Sequence, residues 1–124
     1  MLLIPGSVRV FVAREPVDMR KSFNGLANHI EFGLCRSPLG GDVFVFLNRR
    51  KTLAKMLFWT RGGFTIVYKR LERGQFAFPE RVANGGDAVQ IDMRELSMLL
   101  EGVDLRTGRV HKRWEPKRRS EKVA

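Results

Sequence analysis

Arg49, Arg50, Lys51, Lys55, Arg61, Lys69, Arg70 and Arg73 recur through residues 48–73 among Trp59, Phe64 and Tyr68. Guanidinium forks and ammonium groups hold phosphate oxygens, and flat side chains stack on bases, so the chemistry on offer is polyanion binding. Eight Lys and Arg face one carboxylate in this stretch, and residues 106–124 repeat the excess with eight against two. Residues 74–105 invert it with two against six, and residues 1–47 are near balance with five against four. The whole chain carries 23 Lys and Arg against 13 Asp and Glu, a net charge of +10. That balance makes nucleic acid the leading partner class.

The candidate contacts fall into three groups. Arg49, Arg50 and Lys51 form a basic turn, with Lys55, Arg61, Tyr68, Lys69, Arg70 and Arg73 following on the strands behind it. Arg20 and Lys21 stand at the start of a predicted helix, where cations oppose the helix dipole and a structural role is disfavoured. Lys112, Arg113, Lys117, Arg118 and Arg119 belong to the C-terminal block, a composition suited to phosphate contact without sequence readout. Tyr68 is the aromatic residue best suited to partial exposure, through its hydroxyl. Trp59, Phe64, Phe76 and Phe78 have the alternative of building the core.

Other chemistries lack their residues. Asp92 and Glu95 have the spacing of a helix capping box, which competes with a metal-pair reading. His29 and His111 have no Cys or His at ligand spacing, so no zinc site is expected. Cys35 is the single cysteine and is expected to be buried or idle. The "PLGGD" and "RGGF" stretches read as turns, because neither has the lysine and following helix of a phosphate-cradling loop. The expectation is a protein without catalytic residues, metal or cofactor.

The elements that position these residues follow from periodicity. Val8, Val10 and Val12 alternate with Arg9 and Phe11, which predicts a strand over 7–13. Asp18 is placed to cap a helix over about 18–35, with Met19, Phe23, Leu26, Ala27, Ile30 and Leu34 on one face. "DVFVFLN", "TLAKMLFWT" and "GFTIVYKRL" predict three strands of an antiparallel meander, with Gly62-Gly63 supplying positive φ to the second turn. "AVQI" adds a short strand, and a helix runs from Asp92 to a Gly102 stop. The sum is an α+β domain over 1–105: a mainly antiparallel sheet of four to five strands, one long helix and one short. Residues 106–124 read as a mobile basic tail. No segment has the apolar length of a membrane span, and the N-terminus lacks the basic region of a signal peptide, so a cytoplasmic protein is expected.

Four stretches, "DMRKSFNGLA" at 18–27, "GGDVFVFLNRRKTLAKMLFW" at 40–59, "YKRLERGQFAFP" at 68–79 and "LSMLLEGVDLR" at 96–106, occur in an order that resembles a known family. It is that of the TnpB-type, or Orf2-like, accessory proteins of insertion-sequence family sixty-six. The resemblance implies a protein encoded beside a separate transposase and needed with it for movement of the element. The partner it implies is that transposase; the basic charge adds DNA, expected at the element ends, and self-association is compatible with both. It does not extend to the larger RNA-guided nuclease that shares the TnpB name. Many members have Gly-Asp where this chain has Lys51-Thr52, and His-Asp-Gly near Trp59-Thr60-Arg61. A further difference is Phe78, where a tryptophan is common. The first two changes exchange acidic residues for neutral or basic ones, so the local cationic field is expected to be at least as strong here. The reading is therefore a non-enzymatic DNA-binding accessory factor. Its alternative is an adaptor that docks on the transposase or on a second copy without touching DNA.

Overall fold

A computed structural model describes residues 7–78 and 86–102. Five strands, β1 (Val10–Ala13), β2 (Val43–Leu47), β3 (Leu53–Thr60), β4 (Gly63–Arg70) and β5 (Ala88–Ile91), form one sheet in the order β4-β3-β2-β1-β5. Helix α1 (Phe23–Asn28) continues as a π-helical turn over His29–Gly33, and α2 (Met93–Glu101) follows β5. The expected meander is β2-β3-β4, all antiparallel. β5 also runs antiparallel to β1. β1 lies parallel to β2, with Val10, Phe11 and Val12 opposite Val43, Phe44 and Val45. The class is α+β, with one parallel pair in an otherwise antiparallel sheet.

Both sheet faces are covered. Val10, Val12, Val43, Val45, Met56 and Phe58 point to one side, where Leu96 and Leu99 of α2 and the buried Phe76 complete a core. Phe11, Phe44, Phe46 and Leu57 point to the other, against Leu26 of α1 and Ile30 of the π-helical turn. Double coverage explains why β2 reads VFVFL with every residue buried, where a sheet with one wet face would alternate. Phe64 and Ile66 of β4 pack on the α1 side and Val67 on the α2 side, as the period of two requires.

The starts of two elements differ from the sequence reading. β1 begins at Val10 instead of residue 7. α1 begins after Ser22, and Asp18 does not cap it. The Asp18 carboxylate accepts the Arg20 N–H at 2.8 Å and its carbonyl accepts the Lys21 N–H at 3.0 Å, closing a separate turn. The cause is Lys55, whose Nζ donates to the Met19 and Lys21 carbonyls at 2.7 and 2.6 Å and holds them away from a helical ladder. At the other end of α1, Leu34 donates to the His29 carbonyl and Arg36 to that of Ile30, both at 3.0 Å. Cys35, at φ 55°, takes the left-handed position and is exposed, not buried.

The β3–β4 turn is set one residue earlier than Gly62-Gly63. Thr60 pairs with Gly63, and the two turn residues are Arg61 at φ 39° and Gly62 at φ 86°, the doubly positive backbone of a tight hairpin. The Asp92–Glu95 capping box is formed: Asp92 Oδ1 accepts the Glu95 N–H at 2.7 Å and Glu95 Oε1 accepts the Asp92 N–H at 3.1 Å.

Candidate nucleic-acid interface

The β2–β3 connection is built around Asn48. Its Oδ1 accepts the N–H groups of Thr52 and Leu53 at 2.8 and 3.0 Å, and its Nδ2 donates to Thr52 Oγ1 at 3.1 Å. Its carbonyl takes the N–H of Lys51, which sits at φ 58°. Asparagine suits this place because one short side chain serves several turn donors at once. Segment 71–76 returns beneath the turn. Phe76 donates its N–H to the Lys51 carbonyl at 2.7 Å, Gln75 Nε2 donates to that of Arg50 at 2.7 Å, and Leu71 to that of Thr52 at 2.9 Å. With these backbone groups bonded inward, the side chains of Arg49, Arg50 and Lys51 are left exposed. Lys51 Nζ lies 5.4 Å from the Phe78 ring centroid.

β4 ends where β3 begins, with Arg70 opposite Leu53, so the turn that follows carries Arg73 to the same end of the sheet. Among the described residues no carboxylate lies within ion-pair distance of Arg49, Arg50, Lys51 or Arg73. The backbone thus brings these four cations to one end of the sheet without an ion pair among the described residues. Lys21, also exposed, follows the 18–21 turn at this end, since β1 runs parallel to β2 and Val17 donates to the Leu47 carbonyl.

Other candidate residues are placed differently. Lys55 is buried, and Met19 and Lys21 occupy its ammonium, which withdraws it from any surface contact. Lys69 Nζ donates to the Leu100 carbonyl at 2.8 Å, giving the C-terminus of α2 the cation its own last turn lacks. Arg70 pairs with Glu72 at 2.8 Å. Arg20 pairs with Asp18, and that hydrogen-bonded guanidinium pulls the Asp18 carboxyl down to about 2. Arg61 sits at the far tip of β3, a strand of eight residues and so roughly 25 Å from the basic turn. Lys112, Arg113, Lys117, Arg118 and Arg119 lie outside the described residues, as does Trp114.

The aromatic residues divide in the same way. Phe76 is fully enclosed, and Trp59 packs edge-on against Phe64 with centroids 4.9 Å apart. Tyr68 is 53% exposed, with Lys55 Nζ 4.8 Å from its ring centroid. Asn48 and Gln75 position the basic turn and were not singled out by sequence. The signal available for Asn48 was its turn-forming type before a cationic run, whereas nothing local marks Gln75, which acts across a sequence gap of 25 residues. Among the described residues, no group of three or more His, Cys, Asp or Glu is arranged to hold a metal ion, and no helix is long and apolar enough to cross a membrane.

A family model described as IS66 Orf2 like protein matches residues 8–110. Two proteins of Sinorhizobium fredii (strain NBRC 101917 / NGR234) are similar to this chain. "Uncharacterized protein y4hO" is 42% identical over 101 residues, covering 81% of this chain and 84% of its own length. "Uncharacterized protein y4jC" is 36% identical over 97 residues, covering 78% and 80%. No solved structure matches the chain.

Proposed function

The chain belongs to the IS66 Orf2-like family, whose role is accessory to transposition of an insertion sequence, and we propose that it serves as a non-enzymatic DNA-binding factor beside a separate transposase. The observation that carries this reading is the group of Arg49, Arg50, Lys51 and Arg73 at one end of the sheet, with no described carboxylate paired to any of them. Holding the turn through its backbone leaves its guanidinium and ammonium groups available to phosphates. Contacts of this kind supply affinity and register without sequence choice, which suits a helper whose partner does the chemistry.

Salt-titrated binding to duplex DNA, single-stranded DNA and element-end DNA tests the proposal. Log affinity should fall with log salt by roughly 0.9 per phosphate neutralised. The triple variant Arg49→Ala, Arg50→Ala, Lys51→Ala should flatten that slope while leaving the sheet intact by circular dichroism. An unchanged slope removes the basic turn from the interface. Incubation of element-end DNA with magnesium and this protein alone should give no nicking, and nicking would place chemistry in the chain itself.

A further inference from the structure

β4 is an eight-residue strand at the edge of the sheet, and its outer edge is open in an unusual way. Thr60 and Gly63 close a two-residue turn and therefore form a hydrogen-bonded pair, after which bonded and non-bonded pairs alternate. The Leu71 N–H to Thr52 carbonyl bond keeps the same phase. The backbone groups of Phe64, Ile66, Tyr68 and Arg70 thus point away from β3. Among the described residues nothing hydrogen-bonds to them. The strand has no proline, and its register with β3 is unbroken. Its edge lysine, the usual guard against strand addition, is drawn off toward Leu100 of α2.

We propose that β4 pairs antiparallel with β4 of a second copy, in a two-fold register centred on Val67. Self-complementarity selects this occupant. In this register Phe64 faces Arg70 of the second copy, Ile66 faces Tyr68, Thr65 faces Lys69, and no like charges stand opposite within the strands. All four outward residues of each strand then exchange main-chain bonds, whereas centring on Ile66 would leave Arg70 opposite the turn. An in-register parallel pair would set Lys69 against Lys69 and Arg70 against Arg70. The other edge, β5, has four residues, too short to match β4, and head-to-tail pairing would not close. The two-fold pairing joins two five-stranded sheets and lays both Phe64-Ile66-Tyr68 faces on one side. It also carries Arg61 of one copy to the basic end of the other, beside Arg73. A residue isolated in the monomer thereby joins the cationic group. That approach of like charges opposes association at low salt, so self-association should strengthen as salt rises, the reverse of DNA binding.

The test is made without nucleic acid, so its outcome is separate from that of the DNA-binding reading. Light scattering across a concentration and salt series should show a monomer–dimer equilibrium. Facing Cα atoms of a non-hydrogen-bonded antiparallel pair lie about 4.5 Å apart, within disulfide reach. Cys35→Ser with Val67→Cys should therefore form a linked dimer on mild oxidation. Cys35→Ser with Thr65→Cys should not, because residue 65 faces residue 69. Tyr68→Pro removes an outward N–H and should give a monomer with its circular dichroism retained. If Tyr68→Pro does not fold, the cysteine pair alone decides. A chain that stays monomeric at every salt concentration, equal cross-linking of both cysteine variants, or a folded Tyr68→Pro dimer would overturn the proposal.

Discussion

Lys55 shows how a single residue changes meaning between sequence and structure. In the chain it is one more cation in a basic run; in the fold it is 8% exposed and ties the 18–21 turn to β3 through two charge-assisted bonds. Lys55→Ala leaves the Met19 and Lys21 carbonyls without their donor, and a lost charged hydrogen bond is worth about 1.5–3 kcal/mol. The expected result is a stability loss of about 2–4 kcal/mol in denaturant unfolding, with the salt slope of DNA binding unchanged in the protein that remains folded. Arg20 and Asp18 allow a second test at this scale. The Asp18 carboxyl is held at about 2 against an ordinary 3.8, so the pair's contribution to stability is complete above about pH 4 and is lost as pH falls toward 2. NMR titration should place the Asp18 midpoint near the lower value, and Arg20→Ala should raise it toward the ordinary carboxylate range, the backbone N–H of residue 20 still donating to the carboxylate. Spacing alone could not reveal either partnership, since both depend on which backbone or carboxylate the folded chain brings near.

At the scale of elements, alternation and capping signals were legible where they are local. The β2-β3-β4 meander, the β5 strand and the α2 capping box follow from residue type and period. The parallel β1–β2 pair was not legible, because strand order is decided by which faces the two helices cover. The early end of the predicted α1 also failed, because tertiary bonds from Lys55 override a cap signal at Asp18. The cationic turn depends on both kinds of information: its residues were visible, its buttress was not. Asn48→Ala removes three side-chain bonds that shape this turn. It should reduce stability by about 1–3 kcal/mol and weaken DNA binding in the folded protein without changing its net charge. A parallel test acts from beneath. Gly102 has φ 85°, and an added Cβ would come 2.9 Å from Leu71 Cδ1 and 3.1 Å from the Gln75 carbonyl. Gly102→Ala should therefore cost about 1–3 kcal/mol and loosen the 71–76 segment on which the basic turn rests, read as faster amide exchange at Phe76.

Over the whole molecule, the charge excess that first indicated a polyanion is not spread evenly. Within the described residues, several cations are bound to internal carbonyls or to carboxylates, while Arg49, Arg50, Lys51 and Arg73 are left together at one end of the sheet. Residues 106–124 hold a further eight Lys and Arg. If the basic turn and the C-terminal block neutralise separate phosphates, their effects on log affinity add, as independent sites do. A variant with Lys112, Arg113, Lys117, Arg118 and Arg119 changed to Gln should then lower the salt slope by roughly 0.9 for each contact removed. Combining it with the Arg49, Arg50 and Lys51 substitutions should lower the slope by the sum of the two separate effects. If the combination instead equals the C-terminal variant alone, the block carries the affinity and the folded end serves another surface. If it equals the turn variant alone, the C-terminal charge acts on solubility and not on DNA. Only additivity is consistent with one continuous interface built from a fixed turn and the charged segment that follows α2.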